Sequence, residues 1–469
     1  MATDISKSAW ELTRAQRELV NNCFEEHQYE TAIAMLDQLC TSEFNPWPSH
    51  IRQLIYISLQ SADESSAKDE VDTSVQASPS KFIKQQQLQM STNFIPTKAV
   101  FDAQRVLMAY LHTSSPRALS RALPQRRPPP VLAIDHNEAE STIARRAAYI
   151  TQFQDCWELL RNDFSLRQNG LPSTPKAKSK TRRQSERQSY SKPDASSPLA
   201  VQEHAWCLLE WLIGLFEKDE RLTTLPDPSS PLLADQLLDQ SGKAYLESPT
   251  AIIACCLQQT QLQRRRLGGR LLSLLVNLTS TADLDLNALV VAIYTRISSL
   301  SQLSQLLSQL GHSTTQALKF KVALCQMLIS GLGSSTLGNA PKPQPRMRPK
   351  PTEADSQDLN VESQLAAKPS VPSIPEVLRL VRTATPERAA DDGSFTLLWS
   401  KFQLLLAYGT LQIRMRPQDR DLQWIKAVTE TLPQLAREVF EQKGTEASMY
   451  QLLLENQTAS WRQALDAAP

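Results

Sequence analysis

The scarcity of glycine is the feature that most limits how this chain can fold. Only 12 of its 469 residues are glycine, against about 7% in an average protein. Folds that cradle phosphates or turn many tight hairpins need glycine, because it enters left-handed backbone conformations without strain. The scarcity argues against P-loop, Rossmann and all-β architectures, and it favours a fold built from helices.

The stretch from Ser248 to Leu332 predicts the centre of that fold. Its apolar residues recur at the i, i+3, i+4, i+7 spacing of one helix face. The two clearest sets are Leu271, Leu274, Leu275 and Leu278, and Leu289, Ile293, Ile297 and Leu300. Apolar residues also cover a second face at Val290 to Ala292, so these helices should lie between neighbours. We therefore predict an all-α protein of stacked helix hairpins, either α-solenoid-like or an irregular bundle, with long disordered inserts.

Capping residues divide the same stretch into helices. Ser248 followed by Pro249 is typical of a helix start. Asp283 is predicted to open one long helix, which Gly311 would close in a left-handed turn. Ser313 then has the position of the first residue in a capping box.

The N-terminal region predicts a helix hairpin. Thr13 and Gln16 have the spacing of a capping box, and a second helix from Tyr29 to Leu39 follows after a turn. The pair resembles one tetratricopeptide unit, with an aromatic residue at the turn and the small Ala32 at the crossing. The resemblance covers only Thr13 to Leu39, lacks the turn glycine and does not recur after 34 residues. It supports a hairpin rather than membership of that family.

Three further expectations concern the chain before the central stretch. Ser49 should cap a third helix, the proline-containing run from Ser114 to Pro130 should form no regular element, and Ala139 to Phe164 should be one helix.

The predicted organisation, in order, is a helical hairpin region at 1–60, a disordered acidic loop at 61–80, a helical region at 81–167, a disordered basic insert at 168–199, an apolar helical core at 200–333, a disordered proline-rich linker at 334–375 and a C-terminal helical region at 376–469.

Cysteine usage and hydropathy suggest a soluble intracellular protein. The seven cysteines form no C-x-x-C motif, lie among apolar helical residues and are therefore predicted to be buried thiols in a reducing compartment. They are Cys23, Cys40, Cys156, Cys207, Cys255, Cys256 and Cys325. The most apolar run, Trp206 to Phe216, is shorter than the roughly 20 residues that cross a bilayer, so no membrane span is expected.

No motif of an enzyme is found. None of the six histidines has the H-E-x-x-H spacing, and no G-x-S-x-G elbow occurs. His136 lies near Asp135 and Glu138, a pattern more typical of a polar loop than of a site. We therefore expect no catalytic residue, metal, cofactor or small-molecule substrate.

One cluster of arginines leaves two interpretations open. Arg264, Arg265 and Arg266 precede the Gly268-Gly269 pair, and Arg270 follows it. Such a cluster is a candidate anion site. The alternative is a charged rim at a helix end where two helices meet.

A basic segment provides the main indication of cellular location. Between Lys176 and Lys192, Glu186 is the one acidic residue among seven basic ones: Lys176, Lys178, Lys180, Arg182, Arg183, Arg187 and Lys192. Such a run is typical of a nuclear import segment. Weak or indirect association with nucleic acid through phosphate attraction, and a plain solvated loop, are the alternatives. The net charge of the whole chain is only +1, so charge arguments apply to this segment alone.

Partner binding is the remaining class of function. Trp10, Trp47 and Trp461 lie outside the strongest apolar stripes and are candidate interface anchors; the alternative is that they cover the ends of the core. Trp461 is also predicted, with Trp424, to anchor the core of the last region. We therefore expect a non-catalytic scaffold or adaptor that binds other protein subunits. By analogy, it would be nuclear and associated with chromatin or DNA repair, such as a regulatory subunit of a structural-maintenance-of-chromosomes type complex. The alternatives are a cytoplasmic trafficking or organelle-assembly adaptor and, third, a helical enzyme.

Overall fold

The computed structural model confirms the all-α fold. It describes residues 10–60, 95–126, 141–161, 200–223, 229–239, 241–281, 284–297, 299–312, 314–334, 371–383, 391–440 and 445–466. The predicted loop at 61–80 and basic insert at 168–199 lie outside these residues, as does 335–370 of the predicted linker.

The helices and strands are named in chain order. Two short strands, β1 and β2, pair in parallel with Trp10 opposite Phe44. The first half of the chain contains β1 (Trp10–Glu11), α1 (Arg14–Glu25), α2 (Tyr29–Gln38), β2 (Phe44–Asn45), α3 (Pro48–Ser58), α4 (Thr97–Thr113), α5 (Pro116–Ser120), α6 (Thr142–Ala148), α7 (Trp206–Leu222), α8 (Pro231–Leu237), α9 (Glu247–Leu257) and α10 (Leu262–Leu278). The second half contains α11 (Leu286–Arg296), α12 (Leu300–Gln309), α13 (Thr315–Ser334), α14 (Ile374–Arg382), α15 (Asp391–Arg414), α16 (Leu422–Lys426), α17 (Leu432–Phe440) and α18 (Thr445–Asp466).

The chain forms two compact units, Met1–Leu274 and Leu275–Pro469. The division falls within α10, inside the stretch from 200 to 333 that is predicted from sequence to be one apolar core.

In the first unit, α1 and α2 form the predicted hairpin. The Thr13 hydroxyl accepts a hydrogen bond from the Gln16 N–H, and the Gln16 side chain accepts one from the Thr13 N–H, so the capping box is confirmed. His27 takes the left-handed conformation (φ 59°) in which a turn glycine is usual. The Gln28 and His27 N–H groups donate to the carbonyls of Cys23 and Phe24 at 2.8 and 3.3 Å. These are the two bonds of a Schellman motif, so the turn forms without glycine.

The first unit continues as helices that exchange buried hydrogen bonds. Helix α4 packs against α2, α3 and α7. The Tyr110 hydroxyl of α4 donates to the Leu36 carbonyl of α2 at 2.9 Å, and the Trp211 indole of α7 donates to the Leu107 carbonyl of α4 at 2.9 Å. Gly214 lies at the α4–α7 contact, where a Cβ atom would come within 2.6 Å of Leu111. The buried polar atoms of these two aromatic side chains are thus satisfied by neighbouring helices.

Three expectations about the first unit are wrong. Pro48 is the first residue of α3 and Trp47 its N-cap, so Ser49 lies inside the helix. The run from Ser114 to Pro130 contains the short helix α5. The predicted helix from Ala139 to Phe164 consists instead of α6, a 3-10 turn at Tyr149–Gln152, a break, and a second 3-10 turn at Cys156–Leu160. Its apolar residues are nevertheless buried as predicted at Ile143, Ile150, Trp157 and Leu160.

Several expectations about the central stretch and the thiols also need correction. The helix α9 begins at Glu247, and the Ser248 hydroxyl accepts a hydrogen bond from Arg161 instead of capping it. The predicted long helix is two helices, α11 and α12. Gly311 does not have the predicted left-handed backbone conformation, which among the described glycines is found at Gly242. Asp285 caps α11, whereas Asp283 and Ser313 lie outside the described residues. Five of the seven cysteines are buried as predicted; Cys207 is exposed and Cys40 is half-buried.

In the second unit, α18 lies against both α15 and α17, and α13 packs along α15. Aromatic side chains join these helices. Phe402 of α15 stacks on Tyr450 of α18 at 4.9 Å between ring centroids, and Trp424 of α16 meets Trp461 of α18 edge-on at 5.4 Å. The predicted core role of Trp424 and Trp461 is confirmed.

A proline explains the irregular helix between Leu422 and Phe440. The helix is continuous but contains a π-helical turn at Ala427–Thr431, immediately before Pro433. Because proline has no N–H, it cannot bond the carbonyls of Val428 and Thr429. The Arg462 guanidinium of α18 donates to both carbonyls, at 2.9 and 2.7 Å. One side chain thus satisfies the carbonyls and fixes α18 against the turn.

We expect Gly409→Ala to lower the free energy of unfolding by about 2 kcal/mol, because a Cβ atom at position 409 would overlap the Trp461 indole. In a Trp461→Phe background the shorter ring leaves room, so the same change should cost less. Urea unfolding of the four proteins, followed by far-UV circular dichroism, measures this coupling. Additive effects of the two substitutions would contradict the close contact.

Candidate functional site

The predicted nuclear import segment, Lys176 to Lys192, lies outside the described residues. Its role stays a prediction from sequence.

The arginine cluster lies within α10 and joins that helix to its neighbours. Arg270 forms a bidentate ion pair with Glu217 of α7, with both nitrogen–oxygen distances 2.7 Å. Arg264 pairs with Glu203 and lies over the Trp206 ring, 4.9 Å from its centroid. The hydrogen bonds from Arg264 lower the pKa of the Glu203 carboxyl. Two of the four cations are thus already matched by carboxylates.

The neighbouring glycines are part of the same helix packing. Gly268 and Gly269 lie inside α10, where backbone N–H groups bond within the helix, so the expected helix end at this point is wrong. A Cβ atom at 268 would come within 2.8 Å of the Cys256 Cβ. Arg265 is half-buried and Arg266 exposed. The four arginines do not converge on one point, so the geometry favours a structural role over an anion cradle.

The three candidate interface tryptophans have different environments. The Trp10 side chain is 74% exposed, whereas Trp461 is only 2% exposed. The prediction of Trp461 as an interface residue is wrong, because its ring fills the space against Gly409 and Trp424. Trp47 is half-buried, and the Arg17 guanidinium lies 4.0 Å from its ring centroid. Trp10 remains the strongest of the three for partner contact.

A cleft of about 440 Å³ lies at the C-terminal end of α4 beside β2. Its lining is mostly polar: Ser42, Phe44, Asn45, Thr113, Ser114, Ser115 and Lys218. The Lys218 ammonium donates to the carbonyls of Leu111, His112 and Ser114 at 2.7, 3.0 and 2.7 Å. An ammonium has three N–H donors, so all three are used in closing the end of α4. Burial lowers the pKa of Lys218, and the lysine has no donor left for a bound anion.

A smaller cleft of about 130 Å³ lies beside a nearly buried ion pair between Arg126 and Asp155. The second oxygen of Asp155 accepts from the N–H groups of Trp157 and Glu158, at 3.0 and 3.2 Å, and so begins the 3-10 turn. Gln236 links the same region by accepting from the Cys156 N–H and donating to the Pro124 carbonyl. These groups bond one another and the backbone, and among the described residues the Arg126 Nε alone of them has no hydrogen-bond partner. Their chemistry is that of a structural clamp between loops.

A buried lysine in the second unit has a strongly perturbed pKa. Lys321 of α13 is 2% exposed, and burial lowers its pKa to about 8. Its Nζ lies 3.3 Å from the His312 Nε2. Burial, followed by the charges of Lys321 and Arg414, lowers the pKa of His312. A lysine that is partly neutral near pH 8 can act as a nucleophile, but Lys321 is too deeply buried to be accessible to a substrate in this structure.

Within the described ranges, no three His, Cys, Asp or Glu side chains gather in a group that could hold a metal ion. None of the helices in those ranges is long and apolar enough to cross a membrane.

The sequence did not predict the polar roles of the half-buried Lys218 and Arg126 or of the buried Asp155 and Lys321. Only one of them carries a usable signal. Lys321 lies between Phe320 and Val322 in an apolar helix, so its burial could be inferred from its neighbours. The other three lie beside loops or near a helix end, where polar residues are ordinary.

Comparison with protein-family models, with curated proteins and with solved structures found no match to this chain.

We expect Lys321→Met to stabilise the protein at neutral pH. The pKa of Lys321 falls from 10.5 in the unfolded chain to about 8 in the folded protein, so the folded state binds the proton less well. The resulting penalty is full below about pH 8 and disappears as the pH rises towards 10.5. The substitution should therefore raise the free energy of unfolding by about 3 kcal/mol at pH 7, and by progressively less between about pH 8 and pH 10.5.

Urea unfolding of both proteins across this pH range measures the difference. Lys319→Met, at a half-buried position on the same helix, is the control for replacing a lysine of α13 by methionine. A Lys321→Met gain that stays constant with pH would contradict the proposed ionisation penalty.

Proposed function

We propose that this chain is a non-catalytic helical scaffold that binds other protein subunits in the nucleus, in a complex of the chromatin or DNA-repair kind. The observation that carries the binding role is the exposed Trp10 side chain on an ordered strand. Tryptophan is among the residues that most often dominate binding energy at protein interfaces.

Trp10 and the two residues after it contact the rest of the first unit. The Trp10 N–H donates to the Glu43 carbonyl at 2.7 Å. On the following residues, Glu11 forms an ion pair with Arg121 at 3.6 Å, and Leu12 is buried. A large aromatic side chain on a fixed backbone loses little conformational entropy when a partner covers it. This arrangement supports Trp10 as an anchor for a protein partner.

The nuclear part of the proposal is supported by the basic segment from Lys176 to Lys192. Its seven cations, opposed by Glu186 alone, have the composition of an import address. The assignment to a chromatin or DNA-repair complex is supported by analogy with other divergent all-α subunits that carry basic inserts.

Trp10→Ala in the full chain should weaken partner binding by about 2 kcal/mol, roughly 30-fold, because it removes the anchor without altering a buried contact. Trp10→Phe is the matched variant and should retain most of the binding, since it keeps an exposed aromatic ring. Affinity purification of the tagged proteins with quantitative mass spectrometry compares their companions. Equal recovery of the same companions by wild type and Trp10→Ala would count against Trp10 as the anchor.

Replacement of the seven basic residues between Lys176 and Lys192 by glutamine should move a fluorescent fusion of the chain from the nucleus to the cytoplasm, because import receptors recognise the positive charges. A variant with lysine and arginine exchanged at the same positions keeps the charge and should remain nuclear. Fluorescence microscopy gives the nuclear fraction. A cytoplasmic wild-type fusion, or unchanged nuclear signal without the charges, would contradict this part of the proposal.

A further inference from the structure

The exposed positions of α18 from residue 448 to residue 464 carry no charge, whereas Glu455 and Arg462 at the edges of this face are half-buried and Asp466 at the end of the helix is exposed. Between residues 448 and 464, nine positions of the helix are exposed, and none of them is Asp, Glu, Lys or Arg. Seventeen helical residues extend for about 24 Å. The face has an apolar centre at Met449, Leu452 and Leu453, which are 51%, 59% and 45% exposed.

The neighbouring helical segment in the same bundle provides a comparison. Between residues 422 and 440, nine positions are also exposed, and four of them are charged: Lys426, Glu430, Arg437 and Glu438. The segment from 422 to 440 packs against α18 and belongs to the same unit. The absence of charge is therefore a property of the α18 face and not of the bundle surface. Depletion of charge around an apolar centre is characteristic of the core of a protein interface.

The spacing of the apolar centre suits contact with a helix. Met449, Leu452 and Leu453 stand at i, i+3 and i+4, so they form one ridge on the outside of α18. The opposite side of α18 is already occupied, because Tyr450, Leu454 and Trp461 are buried in the bundle. A helix that is apolar on two opposite sides normally has neighbours on both.

We infer that two copies of this chain associate through the α18 face, with the helices crossing about a two-fold axis. In such a dimer the same surface patch meets itself, so any charge near the axis would meet its own like charge. A face without charge avoids this repulsion, whereas a face that selects a different protein commonly does so through complementary charges.

The polar residues of the face are also compatible with self-pairing. Asn456 and Gln463 are exposed along the same side of α18. Their amide groups carry both donors and acceptors, so each can bond to an amide of the other copy. One helix face covers less than the roughly 800 Å² per partner of a standard interface. The dimer should accordingly be weak, with a dissociation constant on the order of 10–100 µM.

Sedimentation of the full-length wild-type chain tests the inference. Its weight-average mass should rise from one chain towards two between about 1 and 200 µM, as expected for that range of dissociation constants. Leu452→Glu with Leu453→Glu should weaken association at least tenfold, because two pairs of like charges would meet. The milder Leu452→Gln, which adds no charge, should give a smaller loss and serves if the double variant does not fold.

Leu422→Glu is the matched control, since Leu422 is 89% exposed on the neighbouring helix and its substitution should leave association unchanged. Mixing the double glutamate variant with the corresponding double lysine variant should restore association through opposite charges. A wild-type chain that stays monomeric at 200 µM would overturn the inference, as would association that persists in the double glutamate variant or no restoration in the mixture.

Discussion

The fold depends on helices that are apolar on more than one side and must therefore contact more than one neighbour. Helix α4 has neighbours in α2, α3 and α7, and α18 lies against both α15 and α17. Close approach of such helices needs small residues, and glycine is the smallest. Gly214 lies against Leu111, Gly268 against Cys256, and Gly409 against Trp461. A chain with only 12 glycines thus has several at points where helices meet most closely.

The polar residues inside the units mainly satisfy the backbone. Helix ends and helix interruptions leave carbonyl or N–H groups without partners, and burying such groups is unfavourable unless a side chain bonds them. Lys218 donates three hydrogen bonds at the end of α4. Arg462 donates to the carbonyls of Val428 and Thr429, which Pro433 cannot bond because it has no N–H. Asp421 caps α16 and also accepts from the Ile374 N–H at the start of α14, at 2.8 Å. The charges of Lys218, Arg462 and Asp421 therefore have a structural explanation.

At the candidate sites, some side-chain environments could be predicted from sequence and others could not. The exposure of Trp10 agrees with the sequence expectation, because no apolar pattern surrounds it. The burial of Trp461 does not agree with its assignment as an interface residue, because its environment is supplied by Gly409 and Trp424, 52 and 37 residues earlier in the chain. Arg264 and Arg270 look like a cation cluster in sequence, yet each meets a carboxylate from more than 50 residues away. Ion pairs of this kind have no local sequence signal.

The sequence by itself determined the helical class, the buried faces and the Thr13 capping box, because these follow from contacts within one or two turns of a helix. It also determined where long polar segments interrupt the helices. Tertiary structure alone decided that Ser248 bonds Arg161 instead of capping α9, and that the region from Ala139 to Phe164 breaks where Asp155 pairs with Arg126. Local propensities for a cap or a helix differ by about 1 kcal/mol. A single buried hydrogen bond or ion pair to a distant part of the chain is large enough to override them.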